Sequence, residues 1–415
     1  EIRPAESKSR EASSDSKDIA LTTFSSWPEL AKKLTRLVST GFVTTIYGEA
    51  ETLARSDQGR TSPAFLYKFV SQKIATVDLP FDLVPVAGRG LHEILSSGFG
   101  TPMEKTRLLF ALMSQTMAKS AVVVCSESQQ FDSELPSPDL LSGVLLKLMV
   151  NSKVYFLDPG IEVAPFGIVP AKLRGRKALE IADTAPLQGD FFSTIPEELP
   201  IASTQRVSIE ASISADSTLA ARVNYTMRGD NELLLRVTFH QTPKERWKEV
   251  AGLLALSDGF RGTITNVTAS DPMATKDPFT VEYEITQPKF VDWSKKPVRI
   301  PALLPQIALP DAPGKTAGKI ELGTPLDVQT SLTLKLPEGT TVQTPAATSV
   351  ARDYATFASK YDGHLNTVTA SRHIHFVMRE IPIERAADYN AFLRAVQNDQ
   401  AQVIVLSLPE AGTKN

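Results

Sequence analysis

Apolar positions in this chain follow two different periods, and the change from one to the other falls near Arg206. Before it the spacing is helical. Leu30, Ala31, Leu34, Leu37 and Val38 share one face of a helix over Trp27–Val38. Ser62 caps a second, with Pro63 in its first turn and Phe65, Leu66, Phe69 and Val70 behind it. A third opens on Thr101-Pro102-Met103-Glu104, a capping box with Pro102 at the first helical position, where its missing N–H is harmless. Leu108, Leu109, Ala111 and Leu112 carry that helix to about Ala118. Apolar runs over Ala121–Cys125, Val144–Val150 and Val154–Leu157 predict strands, the last ending in the turn Asp158-Pro159-Gly160. Helices first and strands after predict an α+β domain.

After Arg206 the period drops to two. Val207, Ile209, Ala211 and Ile213 alternate with polar residues, as do Leu219 to Met227 and Phe279 to Ile285, which predicts antiparallel strands with one face buried. One helix interrupts them, capped by Thr242 and striped by Trp247, Val250 and Leu254, with Gly259 beyond its end. Pro-rich residues 298–314 read as a linker. The last block repeats the scheme: Val328 to Leu336 and Val368 to Met378 alternate, and a helix with Tyr389, Phe392, Leu393 and Val396 closes it. The expected domains are therefore a polar, Ser-rich disordered tail at 1–18, an α+β domain at 19–190, and two β-rich, sandwich-like domains, each with a helix, at 200–312 and 318–410.

Composition narrows the function classes. With 47 acidic against 44 basic residues and no basic run, nucleic acid is not an expected partner. No apolar stretch reaches transmembrane length. The single cysteine, Cys125, rules out a disulfide framework and a zinc–thiolate site. His373 and His375 project from one strand face, the spacing of a metal pair, but Thr369 and Ser371 share that face, so a solvated polar surface is expected. No cofactor and no metal are expected. The chain begins at Glu1 rather than Met, as a processed or excised chain would.

Several stretches give the α+β block a resemblance to the transglutaminase-like core, a branch of the papain-like thiol enzymes. They are the helix ending Tyr67-Lys68-Phe69-Val70-Ser71-Gln72-Lys73-Ile74, Gly98-Phe99-Gly100, Tyr155-Phe156-Leu157-Asp158-Pro159, and Ala164-Pro165-Phe166-Gly167 leading to Leu173-Arg174-Gly175-Arg176. Arg228-Gly229-Asp230, Ser257-Asp258-Gly259-Phe260 and Ala386-Ala387-Asp388-Tyr389 resemble the β-rich extensions of bacterial members, which are commonly exported to the cell envelope. Active members place a cysteine at the start of the third helix, where the helix dipole favours the thiolate, with a histidine base and an orienting aspartate on following strands. In this sequence the resemblance puts Pro102 at the nucleophile, Gly143 at the base, and Asp158, fifteen residues on, at the aspartate.

Neither proline nor glycine has a side chain that can perform those steps, and losing one member of such a set already removes most of the rate. The resemblance thus implies a catalytically degenerate, non-enzymatic domain at a periplasmic or envelope location, with a protein, peptide or glycan partner of unknown identity. Two alternatives compete. A thiol or hydroxyl enzyme with a relocated nucleophile would use Cys125, Thr101 or Ser97, with His92 approaching the cleft. A carbohydrate- or peptide-binding protein would use the vestigial cleft itself. The bland readings favour inertness: Cys125 as a buried hydrophobe, Thr101 as a helix cap, Asp158 as a turn residue.

Overall fold

A computed structural model describes residues 22–38, 62–79, 88–114, 116–127, 135–182, 186–311 and 318–407, with isolated positions 3, 4, 19, 20, 48, 52 and 131. The expected disordered tail lies outside these apart from Arg3–Pro4, which pair with Ile19–Ala20, and so does the side chain of Leu37. The chain divides into two compact units, Glu1–Pro200 and Ile201–Asn415. Both mix helix with sheet, so the class is α+β with β-rich regions. Among the described residues no helix is long and apolar enough to cross a membrane.

In the N-terminal unit, α1 (Trp27–Val38), α2 (Pro63–Lys73), α3 (Leu91–Ser97) and α4 (Pro102–Met113) precede most of the sheet. Short strands β1 (Ala75–Thr76) and β2 (Phe99–Gly100) pair in parallel beside α4. The main strands are β3 (Lys119–Cys125), β4 (Gly143–Val150), β5 (Lys153–Leu157), β6 (Lys177–Glu180) and β7 (Phe192–Thr194), in the antiparallel order β5-β4-β3-β6-β7. Val122, Val124, Val144, Leu146 and Leu148 pack on the helices. Val123, Cys125, Leu145 and Ala178 face the other way, against Phe156, Val169, Leu173 and Ile195. Both faces of the sheet are covered, which explains why β3 and β4 read as unbroken apolar runs. Helix α4 stops at Met113, short of the expected Ala118, because the hydroxyls of Ser114 and Thr116 bond back to the carbonyls of Ala111 and Met113.

Among the described residues the C-terminal unit is built on one sheet of eight strands. Four come from its first half: β8 (Thr204–Ile213), β9 (Leu219–Arg228), β10 (Thr263–Ala269) and β11 (Phe279–Gln287). Strand β12 (Val298–Pro301) follows in a separate sheet, and β13 (Lys319–Glu321) pairs elsewhere. The second half supplies β14 (Leu326–Lys335), β15 (Thr341–Gln343), β16 (Thr348–Ala351), β17 (Ala355–His364), β18 (Thr367–Phe376), β19 (Glu380–Pro382) and β20 (Val403–Ser407). The large sheet runs β10-β11-β9-β8-β14-β18-β17-β16, and β12-β20-β15 form a smaller one. The two β-rich segments expected as separate domains are thus joined: β8 and β14 pair in parallel, Thr204 with Asp327 through Ser212 with Lys335. The polar period-two face, with Ser208, Glu210, Ser331, Thr333, Thr369 and Ser371, stays exposed. The apolar face carries two cores, one under the first helices and one under the last.

Those helices are α5 (Asp230–Gln241), α6 (Trp247–Ser257) and α7 (Ala386–Gln400). Helix α5 is absent from the sequence-based expectation because its inward face mixes Glu232 and Arg236 with Leu235 and Phe239, which breaks the apolar stripe. Thr242 accordingly ends α5 rather than capping α6; Pro243 is extended, and a tight turn at Lys244–Arg246 precedes Trp247. The expected linker is largely packed structure. Val298–Pro301 pair with β20, Leu303 and Leu304 are buried, and Tyr389 Oη donates to Pro310 O at 2.7 Å; residues 312–314 are not among those described. Met378 lies past the end of β18 and is 39% exposed, so the apolar alternation stops at Phe376.

At the end of α6, Asp258 sits in the core and accepts hydrogen bonds from the hydroxyls of Tyr225 and Tyr283. Burial pushes its carboxyl up to about 6, against the pull of those two bonds. A raised folded-state pKa favours the protonated form in the native protein. Its contribution to stability is complete below the unfolded value near 4 and disappears as pH rises through about 6. Urea titrations of the C-terminal transition should show about 3 kcal/mol lost to this group between pH 4 and 7. Asp258→Asn is expected to remove that part of the slope.

Candidate functional site

The start of α4 is fully occupied by its own capping. Thr101 Oγ1 accepts from Glu104 N at 3.3 Å, and Glu104 Oε2 accepts from Thr101 N at 3.0 Å. Arg89 grips Glu104 from outside, through Nε to Oε1 at 3.0 Å and Nη2 to Oε2 at 2.8 Å, and also donates to Phe99 O. Burial raises the Glu104 carboxyl, but Arg89 and the Thr101 N–H outweigh it and hold the group below its ordinary range. Thr101 is only 8% exposed, and its hydroxyl is committed to the helix.

Pro102 follows as the first helical residue and meets Gly160. A Cβ on Gly160 would lie 3.2 Å from Pro102 Cβ and 3.0 Å from Asp158 Oδ1, so the turn after β5 closes on the proline because position 160 has no side chain. Asp158 Oδ1 accepts from Gly160 N at 2.9 Å, and Tyr67 Oη reaches the carbonyls of Asp158 and Ala164 at 3.1 and 3.2 Å. The turn role of Asp158 is therefore realised. Burial lifts its carboxyl to about 6, opposed by the Gly160 N–H and by the charge of Lys105.

Lys105, a turn beyond Pro102, is fully buried. Its Nζ donates to Thr76 Oγ1 at 2.7 Å and Ser71 O at 3.1 Å, tying β1 and the end of α2 to α4. Thr76 in turn donates to Gly160 O at 2.9 Å from its hydroxyl and to Glu162 Oε1 at 2.7 Å from its N–H. Desolvation lowers the ammonium to about 8, with Glu162 and Asp158 pulling it back up. Sequence reasoning missed this network. The signal was present: Lys105 shares the helical stripe of Leu108, Leu109 and Leu112, which forces a charge inward.

Gly143 lies elsewhere in the site. It starts β4 directly opposite Cys125, and a Cβ there would meet Cys125 Sγ at 3.0 Å and Glu127 Cγ at 3.7 Å. A larger residue at 143 would have to displace the thiol. Cys125 itself is wholly buried, and desolvation pushes its thiol up to about 12. Ser97 Oγ accepts from Arg89 Nη1 at 3.1 Å and donates to Ile94 O at 3.2 Å, while His92 is on the exposed side of α3.

In the C-terminal unit, His373 and His375 do share the exposed face of β18, with parallel rings 6.5 Å apart. His373 Nε2 lies 2.7 Å from Asp327 Oδ1. Among the described residues no group of three His, Cys, Asp or Glu side chains is arranged to hold a metal ion. The charged residue on the inward face of that strand is Arg372, which pairs with Asp399 at 2.9 Å and donates to Pro305 O at 3.0 Å.

Comparison with known proteins agrees with the fold. Residues 305–406 match the model of the domain-of-unknown-function family DUF3858, whose description records a solved structure. A crystal structure from Parabacteroides distasonis, described as a "putative protease", superposes with a TM-score of 0.53 at 14% identity, over 93% of this chain and 59% of that one. At that identity the likeness is one of fold, and the chain spans little more than half of that neighbour's length. No curated protein matches the chain.

Proposed function

We propose that the N-terminal unit is a transglutaminase-like core that has lost its chemistry, and that the protein serves in binding or assembly at the bacterial cell envelope. The observation that carries this is the occupancy of the two reactive positions: Pro102 packed against the Asp158–Gly160 turn, and Gly143 closed off by Cys125. The remaining polar groups support it. Thr101 caps a helix, Asp158 holds a turn, and Lys105 is sealed among Ser71 and Thr76.

A proteolytic reading, which the description of the structural neighbour suggests, needs an activated nucleophile. Burial works against one at Cys125, since a thiol raised to about 12 is scarcely ionised near neutral pH. Incubating native protein with iodoacetamide and with a fluorophosphonate at pH 7.5, roughly the pH of ordinary thiol labelling, is expected to leave its intact mass unchanged. Cys125 should take up iodoacetamide only with denaturant. Rapid stoichiometric addition to Cys125, or to a serine or threonine, in folded protein would establish a relocated nucleophile instead.

A further inference from the structure

Strand β5 is outermost in the order β5-β4-β3-β6-β7 and pairs with β4 alone, in unbroken register from Lys153 opposite Val150 to Leu157 opposite Leu146. Exposed sheet edges are ordinarily blunted by short strands, bulges, proline or charge. Among the described residues the other outer strands follow that rule. Strands β7, β12, β15 and β16, and both members of each two-stranded pair, have four residues or fewer. Strand β10 is longer but carries a register shift between Ile264 and Asn266. Beyond Lys153, β5 reads Val154-Tyr155-Phe156-Leu157, with no charge, proline or bulge.

Hairpin geometry decides which backbone groups of β5 face out. Asn151 and Ser152 form a two-residue turn with φ of 49° and 64°, so Val150 and Lys153 exchange the bonds that close it. Bonded and non-bonded pairs then alternate, turning Tyr155 and Leu157 toward β4 and Val154 and Phe156 away from it. Among the described residues no group bonds the outward N–H and C=O of these two. They border a cavity of about 290 Å³ whose far wall is Pro196 and residues 198–200. Phe156 is only 3% exposed, so its outward groups gain from a chain that supplies both donors and acceptors. A Cβ on Gly167 would lie 3.1 Å from both Tyr155 and Pro200, so the floor is apolar and close. At the rim Lys153 and Glu198 balance in charge, and Arg174 is engaged with protein groups, Glu197 O among them. The wall also selects the occupant. A second copy pairing through its own β5 would bring a whole sheet against Leu199 and Pro200, whereas a single extended chain needs one strand spacing, about 4.8 Å.

We infer that the β5 edge binds an extended peptide as an added strand, bonded to Val154 and Phe156 and carrying apolar side chains over the cavity. The inference stands independently of what the centre around Pro102 does. It is tested by passing two pools of acetylated, amidated hexapeptides over the immobilised full chain. One pool has Val, Leu or Tyr at alternate positions with Ser or Thr between them; the other has Asn or Gln in place of the apolar residues. The apolar pool should be retained about tenfold better. Methylating all its backbone nitrogens should abolish retention, because strand pairing needs the N–H groups. Val154→Pro removes one outward N–H and leaves the bonds to β4, and Leu199→Trp fills the cavity. Each should weaken retention about tenfold, with melting curves confirming the fold. Equal retention of the two pools, full retention of the methylated pool, or retention unaffected by both substitutions would overturn the assignment. So would dimerisation of the chain alone that Val154→Pro abolishes, since that edge would then belong to a second copy.

Discussion

Arg236→Ala is expected to destabilise the C-terminal unit by about 3–5 kcal/mol, enough to bring a domain of ordinary stability close to unfolding. The side chain is wholly buried. Its Nε and Nη2 bond Glu232 Oε1 at 2.9 and 2.8 Å, and its remaining donors serve the carbonyls of Asp271, Pro272, Ala274 and Asp277. The guanidinium also lies 5.0 Å from the centre of the Phe279 ring. Alanine leaves the Glu232 carboxylate in the core with Arg228 at 3.3 Å and Gly229 N at 3.2 Å, and leaves the 271–277 loop to the Arg228 bonds at Thr275 O and Lys276 O. Lysine should not rescue, because one ammonium cannot reproduce a planar fork that serves five oxygens. Urea denaturation checks the effect. If the two groups act as a pair, Glu232→Ala and Arg236→Ala together should cost clearly less than the sum of the single changes.

Lys147→Ala is expected to cost the N-terminal unit a similar amount, about 3–5 kcal/mol. Lys147 stands in β4, the strand that starts at Gly143, and its Nζ is 3.2 Å from Glu180 Oε2 with both side chains 2% exposed. Glu180 Oε1 accepts from Leu187 N at 2.6 Å, so the pair also fixes the chain after β6. Removing the ammonium leaves a carboxylate in a sheet covered on both faces. Replacing both residues by apolar ones of similar size, as in Lys147→Met with Glu180→Leu, should recover most of the loss. Thermal melting of the three variants measures this. The sheet that carries Gly143 thus also holds a buried structural ion pair.

Much of this was legible in the sequence where one physical rule dominated. The capping box at Thr101 and Glu104 formed because a helix start is decided within four residues. The period-two strands fell on the large sheet because one face of it meets water. Failures came where distant groups decide. Helix α5 was hidden by Glu232 and Arg236, which look solvated until the loop at 271–277 folds over them. That the two β-rich segments share one sheet was hidden, because the parallel pairing of β8 with β14 joins segments more than a hundred residues apart. At the candidate site, sequence gave the identity of Pro102 and Gly143 but not their surroundings. That Gly143 backs onto Cys125, and that Lys105 is buried beside the Asp158 turn, follows from contacts no local pattern records.

The proposed loss of chemistry at Pro102 and Gly143 is tested most directly by turnover. Purified protein is incubated at neutral pH with a glutamine-containing peptide and a fluorescent primary amine, and with a chromogenic peptide amide, and both reactions are followed for hours. The expected result is a rate indistinguishable from buffer for amine incorporation and amide hydrolysis alike. Saturable turnover in either assay that Asp158→Asn or Cys125→Ala abolishes, with the variant still folded, would contradict it.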